Sequence, residues 1–386
     1  MFDVAVIGGG LAGCHAAITL AQHKHRVVLL EAGSYPRPKV CGEFLSPESV
    51  ALFASTDFMS RLRKLNPASI SSLRITAPNG SQWHSKFPTP ALGISRFALD
   101  KALADYAAEL GVEVCDKTHV THIEGNLREG FTICASTHQG NRTFEAATVI
   151  AAHGRRSNVD RLLNRTPSKP AQAYLGLKQH FRGDELPQHI DLHVFQGGYC
   201  GMSQVEDGTT NVCLLVRQDV FNAVTNQSPH RIAHFIDWMS EQNRHIGRWL
   251  SRATPVYPDW LSIAQVSLKT KTPVEGDILL AGDAVGMIAP LAGDGMAMAL
   301  HTGQLVASAI DAYLTHKQDA PTMKKAYAQQ WQQSFGARMR LGRALQSVML
   351  RPSVLAPSLR VLNTLPAVGD WLVNHTRDLR LLEETT

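Results

Sequence analysis

Three glycines near the N-terminus are the first residues whose spacing suggests chemistry. Gly8, Gly10 and Gly13 form a Gly-x-Gly-x-x-Gly pattern directly after the apolar run 3–7. Gly8 permits a tight turn, Gly10 lets the backbone approach a pyrophosphate, and Gly13 allows close helix packing, while a helix starting here offers unpaired N–H groups to phosphate oxygens. A second apolar run ends in Glu31, where a carboxylate can bond the hydroxyl pair of a ribose. The pattern predicts a βαβ unit that binds FAD or NAD rather than NADP.

A Gly-Asp pair ends another apolar run far along the chain. Residues 279–284 read Leu-Leu-Ala-Gly-Asp-Ala, and 290–296 read Pro-Leu-Ala-Gly-Asp-Gly-Met. The pair resembles the second flavin-binding motif of the flavoprotein hydroxylases typified by para-hydroxybenzoate hydroxylase, with their geranylgeranyl reductase and halogenase relatives. The resemblance implies that Asp283 bonds the ribityl chain of FAD and that backbone N–H groups at 293–296 meet the flavin ring. A helix N-terminus there stabilises the negative charge of reduced flavin.

The same resemblance implies further contacts with FAD. Segment 151–157, Ala-Ala-His-Gly-Arg-Arg-Ser, is similar to the family's Asp-Gly motif, but His153 replaces the Asp and puts a role in NAD(P)H handling in doubt. Arg96 and Arg37 match a helix-borne and a loop arginine of the family, although the residues alone leave open that both are surface cations. The cofactor-binding residues we expect are Gly8, Gly10, Leu11, Ala12, Gly13, Glu31, Ala32, Arg37, Cys41, Arg96, Val120, Gly154, Gly282, Asp283, Pro290, Gly293, Gly295 and Met296.

The segment 39–45, Lys-Val-Cys-Gly-Glu-Phe-Leu, looks like the Cys-Gly segment of the geranylgeranyl reductase branch, which the family places beside the flavin ring. Cys41 and Glu43 are therefore the candidates for catalysis, Glu43 as an acid or base. A small buried residue in a tight loop is an equal interpretation of Cys41.

Composition narrows the class of protein. The 386 residues hold 38 Lys and Arg against 33 Asp and Glu with no long basic run, which argues against nucleic-acid binding. Six scattered cysteines indicate free thiols in a reducing compartment, and neither a metal-binding nor a hydrolase motif occurs. No apolar run approaches the ~20 residues of a membrane span. We expect a cytoplasmic protein, with peripheral membrane contact through the arginine-rich helices of 338–365 as a second interpretation.

The order of the elements predicts an α/β protein with three parts. They are a Rossmann-like FAD-binding domain from residues 1–170 and 270–330, a mostly antiparallel β-sheet substrate domain from 171–269, and a helical C-terminal region from 331–386. No second glycine-rich βαβ unit occurs, so NAD(P)H should act as a transient reductant, or electrons should come from another protein.

Three functions remain open at this stage. The leading hypothesis is a monooxygenase that hydroxylates or epoxidises an apolar, aromatic or polyketide-like small molecule through a flavin hydroperoxide. Its rival is a reductase of carbon–carbon double bonds in an isoprenoid or polyene, and the third is a non-catalytic protein that carries flavin. Halogenation is not expected, because the family's Trp-x-Trp-x-Ile-Pro signature is absent. The substrate and the oligomeric state are left open.

Overall fold

The computed structural model describes residues 1–155, 157–165, 172–365 and 367–369. Two β-sheets, the helices that connect their strands and a group of C-terminal helices make up this part of the protein. In chain order the strands are β1 (Phe2–Ile7), β2 (Val27–Leu30), β3 (Phe44–Leu45), β4 (Ala68–Thr76), β5 (Gln82–Gly93), β6 (Glu113–Cys115), β7 (His119–Asn126), β8 (Gly130–Thr137), β9 (Gly140–Ala151), β10 (Tyr174–Arg182), β11 (His189–Phe195), β12 (Gly198–Gln204), β13 (Thr210–Arg217), β14 (Thr254–Pro255), β15 (Leu261–Val266), β16 (Val274–Glu275) and β17 (Ile278–Leu280). The helices are α1 (Leu11–Gln22), α2 (Pro47–Ala54), α3 (Met59–Lys64), α4 (Arg96–Glu109), α5 (Asn158–Leu162), α6 (Gln218–Thr225), α7 (Arg231–Gln242), α8 (Arg244–Leu250), α9 (Gly295–Leu314), α10 (Ala320–Met349) and α11 (Pro352–Thr364).

The first sheet carries the glycine loop and is parallel at its centre. Its strands lie in the order β16-β17-β9-β1-β2-β6, with β8 against β9 and β7 against β8. Val4 of β1 lies opposite Val27 of β2 and Thr148 of β9, and both pairings are parallel. Helices α1 and α4, which pack against each other, cover buried apolar strands of this sheet. The predicted Rossmann-like unit is confirmed.

The chain returns to this sheet at β17. Leu279 lies opposite Ile150 of β9, one strand away from the strand that leads into the glycine loop. Because the carboxyl ends of parallel strands meet at one edge of a sheet, the Gly-Asp pair after β17 lies beside the loop after β1. The two motifs are thus brought together by the fold.

The second sheet is larger than predicted. Its order is β14-β10-β13-β12-β11-β4-β5-β3, with β15 on β10, and the pairing is antiparallel except between β11 and β4. Residues 171–269 supply only β10 to β15 of this sheet, because β3, β4 and β5 come from residues 44–93. Alternating apolar and polar residues predict a strand with one buried face, but they do not show which of the two sheets the strand joins. The domain division itself stays a prediction, and its boundary at 170 and 171 lies outside the described residues.

The C-terminal helices tie the two sheets together. On α10, Tyr327 and Trp331 pack into the core of the first sheet, while Leu355 and Leu359 of α11 pack into a cluster on the second. The predicted helical region is confirmed over the described residues, and 370–386 lie outside them. The short helix α6 was not predicted, since it spans only two turns directly after a strand.

Candidate active site

A cavity of about 760 Å³ runs from the glycine loop into the space beside the second sheet. Both sheets and the start of α9 contribute to its wall. The sequence-predicted residues that line it are Gly8, Gly10, Leu11, Ala12, Glu31, Arg37, Cys41, Glu43, Arg96, Gly154, Gly282, Asp283, Pro290, Gly293, Gly295 and Met296. Residues predicted from places far apart in the chain therefore meet around one space.

The glycine loop is built to receive an anion. Helix α1 begins at Leu11 without a side-chain cap, so its first N–H groups are available at the cavity wall. Gly8 has a φ of 109°, and a Cβ there would meet the Ala152 carbonyl oxygen at 2.4 Å. A Cβ on Gly13 would lie 1.9 Å from the Gly8 carbonyl oxygen. Gly13 packs the helix on the loop, as predicted, rather than lining the cavity.

Glu31 closes the loop with both carboxylate oxygens. It accepts hydrogen bonds from the Gly9 and Gly33 N–H groups at 2.7 and 2.6 Å, and it pairs with Arg37 at 2.8 Å. A carboxylate offers about four lone-pair positions, so capacity for a ribose hydroxyl remains. Arg37 thus lies against the carboxylate that is predicted to bind the ribose.

Two other predicted cofactor residues lie away from the cavity wall. Ala32 is exposed to solvent. Val120 is 4% exposed in the core of the first sheet, and its carbonyl oxygen accepts a hydrogen bond from Asn158 Nδ2 at 2.7 Å. Their contact with FAD stays a prediction.

Arg96 supplies buried positive charge next to the glycine loop. Its guanidinium binds Asp100 through two hydrogen bonds of 2.6 and 2.9 Å, and Lys39 lies 3.4 Å from the same carboxylate. Burial alone would raise the pKa of Asp100, but the two cations hold it below its usual value. Because Arg96 and Lys39 share one carboxylate, this wall keeps a positive excess suited to a diphosphate.

The second motif lies beside the glycine loop on the cavity wall. Asp283 follows Gly282, whose φ is 63°, and burial raises the pKa of the Asp283 carboxyl. Helix α9 begins at Gly295, so its positive end also meets the cavity. Arg338 of α10 forms an ion pair with Asp294, which precedes this helix, and lies 3.9 Å from Glu48 of α2. The C-terminal helix thus fixes the turn that is predicted to hold the flavin ring.

Glu43 is the centre of a buried polar cluster that the sequence did not reveal in full. Its carboxylate accepts hydrogen bonds from Lys178 Nζ, from His180 Nε2 at 2.6 Å and from the Arg96 N–H at 2.7 Å. Burial alone would raise the pKa of Glu43, yet His180 and Lys178 hold it below its usual value. Its φ of 55° is uncommon for a residue other than glycine, and such strain concentrates at functional sites.

Lys178 and His180 were missed by sequence reasoning, although a signal exists. They stand two residues apart on β10, so both side chains point to the same face of the sheet. A strand that buries every residue from 175 to 181 and still carries two basic groups on one face predicts a buried acidic partner.

Cys41 lies at the junction of the two halves of the cavity. Its sulfur accepts a hydrogen bond from the Glu43 N–H at 3.4 Å and also interacts with the Arg96 guanidinium. Asn211 Nδ2 fixes the loop by donating to the Cys41 carbonyl oxygen at 3.1 Å. The thiol is half-buried and lines the cavity, so it is available to a bound molecule.

The segment after β9 meets the cavity through its glycine turn. Gly154 has a φ of 78° and lines the wall with His153. The His153 ring lies 3.5 Å from Asp160, a carboxylate that Lys271 also binds at 2.7 Å. The histidine that replaces the family's aspartate therefore lies beside an acid from α5. Arg156 lies outside the described residues.

Beyond Cys41 the wall becomes apolar. This half is lined mainly by side chains of the second sheet and of the segment before α9: Leu73, Phe87, Ile190, Leu192, Leu214, Leu215, Leu261, Ile263, Val266, Met287 and Leu291. Tyr199 stands among them, 5% exposed, and among the described residues its hydroxyl has no hydrogen-bond partner. Burial raises the pKa of Tyr199 well above its usual value, so the group stays a donor. The chamber fits an apolar molecule that carries a hydrogen-bond acceptor.

Comparison with known proteins settles the family. The model of the FAD binding domain family matches residues 1–331. The chain belongs to this family. Digeranylgeranylglycerophospholipid reductase 2 of Methanopyrus kandleri is 25% identical over 348 residues, covering 87% of this chain and 83% of the relative. Menaquinone reductase of Mycolicibacterium smegmatis is 26% identical over 331 residues, covering 79% and 75%.

Solved structures agree on the fold. The myxobacterial chondrochloren halogenase CndH has a TM-score of 0.75 at 21% identity, covering 88% of this chain and 81% of its own. PqsL of P. aeruginosa in complex with 2-aminobenzoylacetate has a TM-score of 0.73 at 16% identity, covering 92% and 98%. The protein is an FAD-dependent oxidoreductase, as the two motifs predicted. The uncapped α1 and the cations near Asp283 fit this cofactor.

Proposed function

We propose that the protein reduces carbon–carbon double bonds in a long apolar, isoprenoid-type substrate. The observation that carries the proposal is a cavity whose cationic half, beside the glycine loop, continues past Cys41 and Glu43 into an apolar chamber. The relatives named as reductases of digeranylgeranylglycerophospholipid and of menaquinone support it.

The two halves of the cavity divide the work. The glycine loop and the start of α1 would hold the FAD diphosphate, Glu31 the ribose, and Asp283 with the start of α9 the flavin end. When bound, FAD supplies a hydride, and NAD(P)H is the reductant we propose for it. Saturating a double bond adds this hydride to one carbon and a proton to the other, so the protein must deliver the proton.

Cys41 is the proton donor that we propose. Loss of its proton leaves a thiolate, which the Glu43 N–H and the Arg96 guanidinium would stabilise by hydrogen bonds. The thiolate would take its proton back from water that enters the cavity when the product leaves, since Cys41 is half-buried and lines this space. Each turnover then consumes one hydride, which the reduced cofactor supplies, and one proton, which comes from solution.

Tyr199 would fix the substrate along the chamber. A protonated phenol without a protein partner gains a full hydrogen bond from a carbonyl, hydroxyl or ether oxygen of the substrate. We therefore propose an apolar chain that bears one oxygen function. Replacing Tyr199 by Phe should raise KM for such a substrate and leave KM for a plain hydrocarbon polyene unchanged.

Hydroxylation or epoxidation, the function that the sequence favoured, stays a prediction, as does a flavin-carrying role without turnover. The structures of a halogenase and of PqsL share only the fold with this chain at 21% and 16% identity. The thiol of Cys41 beside the Arg96 guanidinium and the reductases among the relatives support the reductase instead.

Turnover without oxygen tests the proposal. FAD-loaded protein, reduced anaerobically with NADH, NADPH or dithionite, would be incubated with a geranylgeranyl lipid or menaquinone, and products would be analysed by mass spectrometry. We expect a gain of two hydrogens per saturated bond. Cys41→Ser should lower kcat by roughly 10²-fold or more, as loss of a general acid does. Cys134→Ser, on strand β8 outside the cavity wall, is the matched thiol control.

Product that forms only with oxygen and contains isotopically labelled oxygen would overturn the proposal in favour of a hydroxylase. Normal kcat in Cys41→Ser would refute the assigned proton donor. Flavin that dithionite bleaches but neither nicotinamide bleaches would mean that another protein supplies the electrons.

A further inference from the structure

The end of α10 and helix α11 expose an unusual share of the protein's apolar surface. Of the nine large apolar side chains that the described residues expose, five lie between 348 and 368. They are Val348, Val354, Val361, Leu365 and Val368, which expose 38, 39, 50, 53 and 41%. Val354 and Val361 are two turns apart on α11 and so share one side of it. We call these five exposed side chains the apolar face.

The same part of the chain is strongly basic. Residues 320–369 contain seven Lys and Arg and no Asp or Glu, whereas the rest of the chain has 31 Lys and Arg against 33 Asp and Glu. The positive net charge of the protein is therefore concentrated in its last helices. Arg340, Arg343, Arg351 and Arg360 are exposed, and none of them forms an ion pair within the described part of the chain.

The apolar face lies behind the substrate chamber. On the other side of α11, Leu355 and Leu359 are 3% and 1% exposed and pack in one cluster with Phe44 and Phe87. Those two aromatic rings line the cavity. A molecule that covered the apolar face would thus be one helix away from the apolar half of the site.

We propose that the apolar face binds the surface of an anionic lipid bilayer. Helix α11 would lie in the plane of the interface with its valines among the acyl chains, while the surrounding arginines bind anionic headgroups. A second copy of the chain is disfavoured as the occupant, because two such basic segments repel each other. No helix in the described ranges is long and apolar enough to cross a bilayer, so the contact is peripheral. This inference is independent of whether the substrate is reduced or hydroxylated.

Vesicle binding tests the inference. FAD-loaded protein would be sedimented with vesicles of phosphatidylcholine alone or mixed with phosphatidylglycerol, at low and high salt. We expect binding to the anionic vesicles only, weakened by salt. Each cation near an anionic surface contributes roughly fivefold in affinity, so Arg351→Glu with Arg360→Glu should weaken binding by roughly 25-fold or more. Val354→Ser with Val361→Ser should also weaken it.

Controls separate this surface from charge in general. Lys64→Glu with Arg128→Glu reverses two exposed cations on other parts of the surface and should leave binding unchanged. All variants should keep their flavin absorbance. Failure to bind anionic vesicles at low salt, or an equal loss in the control pair, would overturn the inference. So would light scattering that shows a dimer which the valine variant converts to a monomer, because the apolar face would then join two copies.

Discussion

The buried ion pair of Lys178 and Glu43 allows a quantitative test of the site. The Lys178 side chain is 1% exposed and that of Glu43 is fully buried, so neither charge is solvated by water. Removing one partner of such a pair costs about 3–5 kcal/mol, because the other charge stays buried without compensation. Glu43 accepts hydrogen bonds from three donors, whereas Lys178, among the residues that the structure describes, donates to Glu43 alone. The two single substitutions should therefore differ in their cost to stability.

Lys178→Met should cost about 2 kcal/mol of unfolding free energy, since Glu43 keeps its hydrogen bonds from His180 and from the Arg96 N–H. Glu43→Gln should cost about 3–5 kcal/mol, since Lys178 loses the carboxylate that compensates its charge. In the double variant no charge is stranded, so its cost should fall short of the sum of the singles by about 1–3 kcal/mol.

Urea unfolding of the FAD-loaded protein, followed by tryptophan fluorescence, measures these differences. The exposed pair Lys101 and Asp105, at 43% and 51% exposure, is the matched control, and Lys101→Met should cost about 0.5 kcal/mol or less. Strict additivity of Glu43→Gln and Lys178→Met would refute the reasoning. A cost for Lys178→Met no larger than that for Lys101→Met would refute it equally.

Two further predictions concern the glycine loop and acid. Gly8→Ala should abolish FAD retention, because its Cβ would meet the Ala152 carbonyl oxygen at 2.4 Å. Gly111 also has a positive φ but open space around it, so Gly111→Ala should keep FAD and lower the free energy of unfolding by only about 1–2 kcal/mol. Flavin absorbance after gel filtration checks both variants. Burial lowers the pKa of His15 and of His193 to about 4, so protons bind the unfolded chain first and stability should fall as the pH drops from 6.5 to 4. Thermal midpoints across this range measure the loss, and a flat profile would contradict it.

The cofactor half of the site was predictable from the sequence because local backbone demands fix its residues. A left-handed φ at Gly8 and a close backbone contact at Gly13 admit only glycine, so the pattern can be recognised in the amino-acid sequence. The turn at Gly282 and the start of α9 follow the same logic. Adjacency of the two segments followed from parallel strand pairing, which β17 and β9 confirm.

The polar cluster behind Cys41 was not predictable in the same way. Glu43 lies 135 residues from Lys178 and 137 from His180, and only the pairing within the second sheet brings them together. Strand β4 belongs to that sheet through its parallel contact with β11. No turn or short loop connects these two strands, so the sequence around them does not predict the pairing. Long-range contacts of this kind are decided by packing rather than by local spacing.

The bond from Arg338 to Asp294 reaches across the end of the family match. The match to the FAD binding domain family ends at residue 331. Asp294, which precedes α9, is nevertheless held by the guanidinium of Arg338, which lies beyond that limit. A fragment cut at that limit would lose this cation from a carboxylate that is 1% exposed, directly beside the turn for the flavin ring. Truncations made to obtain a minimal flavin-binding unit should therefore retain α10. A fragment that lacks this helix should bind flavin more weakly than the full chain.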